Sequence, residues 1–130
     1  MKQVANIPVT KLGTTGVAAV VVGGTTVHIF FRMDVNCKCY LEKGTLDHKI
    51  VRDTEVLLID EFSMLEFNVF HPMDKITREA SIPKNRRFPF AGKHVILIGD
   101  PAQLPAIDKD IYDSWLWQNF DILMLKEVKR

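Results

Sequence analysis

Two adjacent carboxylates, Asp60 and Glu61, end the apolar run Val56-Leu57-Leu58-Ile59. A continuous run of this kind reads as a buried strand of a parallel sheet, and such strands present ligand-binding residues at their C-terminal edge. Cleaving a phosphoanhydride needs one carboxylate to hold Mg²⁺ through its water shell and a second to orient or deprotonate the attacking water. Asp60 suits the first task, as metal and nucleotide ligand, and Glu61 suits the second, as a catalytic residue. The plainer alternative is structural: a helix N-terminus favours a preceding acid, and Ser63 would serve as its cap.

A second apolar run, Val95-Ile96-Leu97-Ile98, leads into Gly99-Asp100-Pro101-Ala102-Gln103. The neutral amide of Gln103 can accept from the attacking water and donate to a γ-phosphate, sensing hydrolysis without adding charge. A Gly-Asp-Pro turn without a ligand is the alternative. An acid pair on one strand end and a glutamine beyond the next, in that order, is harder to reach by chance than either alone. The pair points to an ATPase using ATP and Mg²⁺. Gly99, Asp100 and Gln103 join Asp60 as nucleotide-binding candidates, and Gln103 joins Glu61 as a catalytic one.

Three elements must position these groups: strands expected over residues 5–10, 55–60 and 94–100, with a further short strand over 122–125. Helices are expected over 16–22, over 63–78 with a kink or break at Pro72, and over 110–119. Continuous apolar strands call for helices on both faces of the sheet. The segment 81–89, with two prolines and the cluster Lys84, Arg86 and Arg87, reads as a solvated loop. The expected architecture is therefore a single α/β domain spanning residues 1–130.

Composition sets limits on function. Hydrophobic residues make up 47% and charged residues 25%, which fits a packed globular domain rather than a disordered or fibrous chain. A net charge of +1 provides no global field for nucleic acid, so any such contact has to come from local geometry. Cys37 and Cys39 are too close for an unstrained disulfide and too few for a zinc site, which fits a reducing intracellular compartment. The run from Val17 to Val22 is far too short to span a membrane.

The strings Leu58-Ile59-Asp60-Glu61-Phe62-Ser63-Met64-Leu65 and Gly99-Asp100-Pro101-Ala102-Gln103-Leu104-Pro105-Ala106-Ile107 resemble motifs II and III of the Pif-type superfamily-one DNA helicases. Thr15-Gly16-Val17-Ala18-Ala19, followed by Gly23-Gly24-Thr25-Thr26-Val27-His28, is similar to the family segment that touches single-stranded DNA. The resemblance implies DNA contacts at Thr15, Gly16, Thr25, Thr26 and His28. Small residues, amides and hydroxyls can approach a sugar-phosphate backbone without reading sequence. Without the resemblance, Gly23 and Gly24 read as a helix-ending turn and His28 as a satisfied core residue. The closing Leu125-Lys126-Glu127-Val128-Lys129-Arg130 resembles the link into a second motor domain, which makes Arg130 a candidate γ-phosphate ligand as charge develops.

What the resemblance implies is a RecA-like P-loop NTPase sheet and a 5′-to-3′ helicase that unwinds duplex DNA in repair, recombination or telomere upkeep. A monomer in the nucleus or mitochondrion would follow. The chain departs from the family in carrying no Gly-x-x-x-x-Gly-Lys-Ser/Thr. It is therefore expected to lack the Walker A strand-loop-helix, to be an internal fragment of the first motor domain, and to be unable to hydrolyse ATP alone. Lys11-Leu12-Gly13-Thr14 also intervene between Thr10 and the turn, and Ile29 stands where the family has a small hydroxyl residue. An inactive DNA- or partner-binding remnant and a transposon-type ATPase without unwinding are the competing readings.

Overall fold

The computed structural model describes residues 7–34, 36, 38–100 and 115–121. Four strands, β1 (Val9–Gly13), β2 (Thr25–Thr26), β3 (Val56–Asp60) and β4 (His94–Ile98), form one parallel sheet in the order β2-β1-β3-β4. The connections contain helices α1 (Gly16–Val22), α2 (Val27–Phe30), α3 (Leu46–Asp53) and α4 (Phe67–Ala80). The expected α/β class, a parallel sheet flanked by helices, is the one observed.

Register decides which side chains share a face. Leu12, Ile59 and Leu97 stand side by side, as do Thr10, Leu57 and Val95. Leu12, Leu57 and Ile59 on this face are 0% exposed, packed in one core with Val69, Phe70 and Met73 of α4 and with Val27, Phe31 and Val51. The other face carries Val9, Ile96 and Ile98, which stay 49%, 45% and 45% exposed. Right-handed crossovers account for the asymmetry: β2 lies on one side of β1 and β4 on the other side of β3, so α1 and α4 pack on opposite faces. Among the described residues, only short α1 covers the second face. A Cβ on Gly13 would lie 2.2 Å from the Ala19 amide nitrogen, so glycine lets helix and strand touch. The expectation of helices over both faces thus holds fully for one face and partly for the other.

The first strand begins and ends later than the apolar pattern indicated, running from Val9 to Gly13 rather than over 5–10. Lys11 and Leu12 are strand residues: Leu12 supplies the core, and the ladder with β3 runs from Val9 opposite Val56 to Gly13 opposite Asp60. The four residues that seemed to interrupt the family pattern therefore bring the strand to its turn.

α1 has the expected bounds, with Thr15 accepting from the Ala18 amide at its start and left-handed Gly23 at its end. The Gly24 amide donates to the Ala19 carbonyl at 2.9 Å, closing a Schellman turn. A Cβ on Gly24 would sit 1.9 Å from the Lys11 carbonyl oxygen, so only glycine lets the chain enter β2 beside β1.

The helix expected over 63–78 is two elements. Phe62–Met64 is a 3₁₀ turn, Leu65 is extended, and α4 starts at Phe67 and continues through Pro72 without a break to Ala80. Ser63 does not cap it. Buried Asp74 on α4 accepts from the Phe90 amide at 2.6 Å and from Arg78 Nε at 3.0 Å. That acceptor holds Phe90 and Ala91 in left-handed conformations, φ 51° and 54°, where the chain turns toward β4. The loop over 81–89 includes a 3₁₀ turn at Pro83–Asn85, and Lys84, Arg86 and Arg87 are exposed as expected. Trp115–Asn119 is a 3₁₀ turn; the remainder of the helix expected over 110–119 and the strand over 122–125 lie outside the described residues.

Candidate nucleotide and nucleic-acid site

Gly13, Asp60 and Ile98 align across β1, β3 and β4, so three strands end along one edge of the sheet. Asp60 closes β3, and half-buried Glu61 follows with φ 58° and ψ 45°. A non-glycine residue in that left-handed region is strained by about 1–2 kcal/mol. The Glu61 carbonyl accepts from Thr14 Oγ1 at 3.0 Å and from the Met64 amide at 3.1 Å, and these bonds hold the bend. Thr14, the first residue after β1, was not among the sequence candidates, although a hydroxyl at a strand end beside a Thr-Gly helix start was a usable signal.

Gly99 begins the segment after β4. A Cβ there would lie 2.9 Å from the Phe62 ring and 3.1 Å from the Phe62 amide nitrogen, so this glycine lets the end of β4 close against the residue that follows the acid pair. Asp100 is exposed just beyond it. The edge thus brings Asp60, Glu61, Gly99 and Asp100 to one end of adjacent strands. Gln103 and Arg130 lie outside the described residues.

Among the described residues no group of three or more His, Cys, Asp or Glu side chains forms a metal cage. Mg²⁺ keeps most of its waters and binds through one or two carboxylates plus substrate phosphates, and the Asp60 carboxylate at the strand end is of the type that could hold it. A second observation fits a polar ligand at this edge: Ser63 Oγ, two residues after Glu61, is buried without a hydrogen-bond partner. Buried hydroxyls rarely remain unpaired unless water, an ion or a ligand supplies the partner. The residues present therefore fit a hydrated cation held with phosphate, and Asp60 is the residue that could hold it.

The sequence candidates for DNA contact lie on the path from β1 through α1 to α2. The Thr15 and Thr26 hydroxyls cap α1 and α2, accepting from the Ala18 and Ile29 amides at 3.1 and 3.2 Å. Thr25 lies in β2 opposite Leu12, and Gly16 is exposed at the start of α1 with open space where a Cβ would be. His28 is half-buried on α2 and lines an open cavity of about 270 Å³ with Ile29, Arg32, Met33, Asp34 and Tyr40. Thr14 ties this path to the acid pair, since it precedes Thr15 directly and bonds Glu61. Sequence reasoning missed the Tyr40 side of the cavity, because nothing in the spacing of residues 28 and 40 foretells their meeting.

A parallel sheet with right-handed crossovers and acids at its carboxyl edge places the chain among α/β proteins that bind ligands at that edge. The family model described as PIF1-like helicase matches residues 2–130, and the chain belongs to that family. It is 30% identical to the ATP-dependent DNA helicase Pif1 of Bdellovibrio bacteriovorus, over 92% of this chain and 29% of that protein. It is 37% identical to the ATP-dependent DNA helicase RRM3 of Saccharomyces cerevisiae, over 74% of this chain and 14% of that one. Among solved structures, a Bacteroides Pif1 helicase in complex with ADP-AlF3 and ssDNA superposes with a TM-score of 0.68 at 25% identity, covering 89% of this chain and 28% of that one. The Candida albicans Pif1 helicase superposes with a TM-score of 0.69 at 26% identity, covering 85% and 27% respectively. The chain spans less than a third of the length of each of these proteins.

Proposed function

We propose that this chain forms part of the first motor domain of an ATP-dependent DNA helicase that moves 5′ to 3′. The observation that carries this reading is the Thr14–Glu61 hydrogen bond. It joins the turn that starts the DNA-contact path to the backbone of the residue best placed to activate water. A motor needs such a joint, because hydrolysis produces movement only if the nucleotide edge and the track-binding surface are mechanically continuous.

In this reading Asp60 holds hydrated Mg²⁺, which when bound supplies positive charge on the phosphate oxygens. Glu61 orients or deprotonates the attacking water from a backbone fixed by Thr14. Gly99 and Asp100 shape the far side of the nucleotide edge, Gln103 senses the γ-phosphate, and Arg130 offsets charge as the bond breaks. Thr15, Gly16, Thr25, Thr26 and His28 bear on the DNA backbone. The names of the relatives and the ADP-AlF3 and ssDNA bound to the Bacteroides protein support ATP and single-stranded DNA as ligands, and the strand-end carboxylate of Asp60 supports Mg²⁺. A monomer acting in DNA repair, recombination or telomere maintenance, in the nucleus or mitochondrion, completes the proposal. Among the described residues no helix is long and apolar enough to cross a membrane.

The test is ATP hydrolysis by the protein isolated at its native length, with and without single-stranded DNA, for wild type and Glu61→Gln. DNA-stimulated turnover that falls at least about 100-fold in the variant is expected. Equal, DNA-insensitive rates in both would leave a binding remnant and remove the motor reading.

A further inference from the structure

The cavity beside His28 contains a rigid, exposed aromatic ring that the DNA-contact path does not use. Tyr40 is 56% exposed, yet it is fixed at both ends: its amide donates to the Arg32 carbonyl at 2.7 Å, and its hydroxyl donates to Asp34 Oδ2 at 3.1 Å. Asp34 is held in turn, since its Oδ1 accepts from the Asn36 and Lys38 amides at 2.8 and 3.0 Å. A bridge between Met33 and Cys39 closes the same turn. Arg32, in a left-handed conformation at φ 55°, ends α2 with the Met33 amide donating to the His28 carbonyl. This local network is what sets Tyr40 beside His28.

The surroundings of the ring mix apolar surface with charges of both signs: Arg32 pairs with Asp47 at 3.4 Å, and Asp34 accepts from the ring hydroxyl. Lys38 Nζ stands 5.4 Å from the ring centroid, and Arg32 and His28 line the cavity with Ile29, which is 62% exposed. Asp34, which lines the cavity, already accepts three hydrogen bonds. The hydrogen bond to Asp34 also raises the Tyr40 pKa above its ordinary 10.0, so the ring is a neutral phenol at physiological pH. An exposed aromatic held in place beside a lysine is suited to stacking an unpaired base, because every base offers a π-face and a cation attracts the phosphate. A ring that needs no ordering on binding loses little entropy when a base arrives.

We infer that Tyr40 is a stacking platform for one unpaired base of single-stranded DNA, flanked by Ile29 and His28, with Lys38 drawing in the adjoining phosphate. The inference rests on the DNA-binding reading above and deepens it, assigning base contact to a residue off the threonine-glycine path.

Fluorescence anisotropy on the protein isolated at its native length separates the two readings, using a labelled oligothymidylate and an abasic strand of equal length. Wild type is expected to bind oligothymidylate more tightly than the abasic strand. Tyr40→Ala should lose about tenfold affinity for oligothymidylate and none for the abasic strand, and Tyr40→Phe, which keeps the ring, should retain most of the difference. Unchanged binding of both strands by Tyr40→Ala would overturn the platform while leaving backbone binding intact. An equal loss on both strands would mark a merely structural tyrosine and overturn it as well. Failure of wild type to bind either strand would remove the DNA-binding reading together with the inference.

Discussion

The two faces of the sheet are built from similar residues and meet opposite fates. Leu12, Leu57 and Ile59 on one face have no exposed surface, whereas Val9, Ile96 and Ile98 on the other remain about half open. Residue type does not make the difference, since both sets are β-branched or aliphatic. Topology does: among the described residues, two connections, through α2 and α3 and through α4, cross the first face, while seven-residue α1 alone crosses the second. Apolar sequence shows that a strand can be buried, and the crossovers decide whether it is.

The largest test of this contrast is truncation on the covered side. Phe70→Ala on α4 should cost about 3–5 kcal/mol of stability in urea denaturation, because it removes a fully buried ring from a close-packed core. A cost near zero would mean that the face is not packed as described. A smaller loss is expected where α4 is fastened to the chain entering β4. Asp74→Ala leaves the Phe90 amide and Arg78 without their shared acceptor and should cost about 1–3 kcal/mol in the same measurement. On the open face, Ile96→Thr should change stability by about 0.5 kcal/mol or less, and a penalty rivalling that of Phe70→Ala would erase the distinction between the faces.

The smallest effect concerns Lys93, which leads into β4 and donates to the carbonyls of Arg52 and Thr54 at 2.8 and 2.7 Å. Desolvation by burial lowers its pKa below the ordinary 10.5, against the opposing pull of Asp53 and Glu55. The unfolded chain therefore holds this proton more tightly, so the contribution of Lys93 to stability is present above 10.5 and is lost as the pH falls through the folded value. Denaturation midpoints measured across that alkaline window should rise less with pH in Lys93→Met than in wild type. Parallel pH profiles would show that the ammonium is fully solvated.

The legible parts of the fold were those with a one-dimensional signature. Val56–Asp60 and His94–Ile98 were expected within two residues because continuous aliphatic runs ended in acid or glycine, and α1 was bounded by its threonine and glycine. β1 was set too early because Lys11 looks like a loop residue, while in the sheet it lies on the more open face beside Leu58. α3 was missed although Thr45 caps it, Asp47 lies in its first turn and Arg52 in its last, a charge order that favours a helix. The start of α4 was misplaced because Ser63 looks like a cap, and its oxygen is instead buried without a partner. At the site, Asp60 and Glu61 were readable from neighbouring letters. The Thr14 contact and the Tyr40 cavity were not, since each depends on segments that meet only once the chain has folded.

The Thr14–Glu61 bond has a thermodynamic side as well. If occupancy of the turn after β1 shifts that hydroxyl, the bend at Glu61 must change its free energy by a matching amount. On the proposed helicase reading, free-energy linkage makes the exchange symmetric: whatever factor DNA applied to nucleotide affinity through this bond, nucleotide would return to DNA affinity. One side-chain hydrogen bond of 3.0 Å would then set an upper bound on how strongly track and fuel can influence each other along this route.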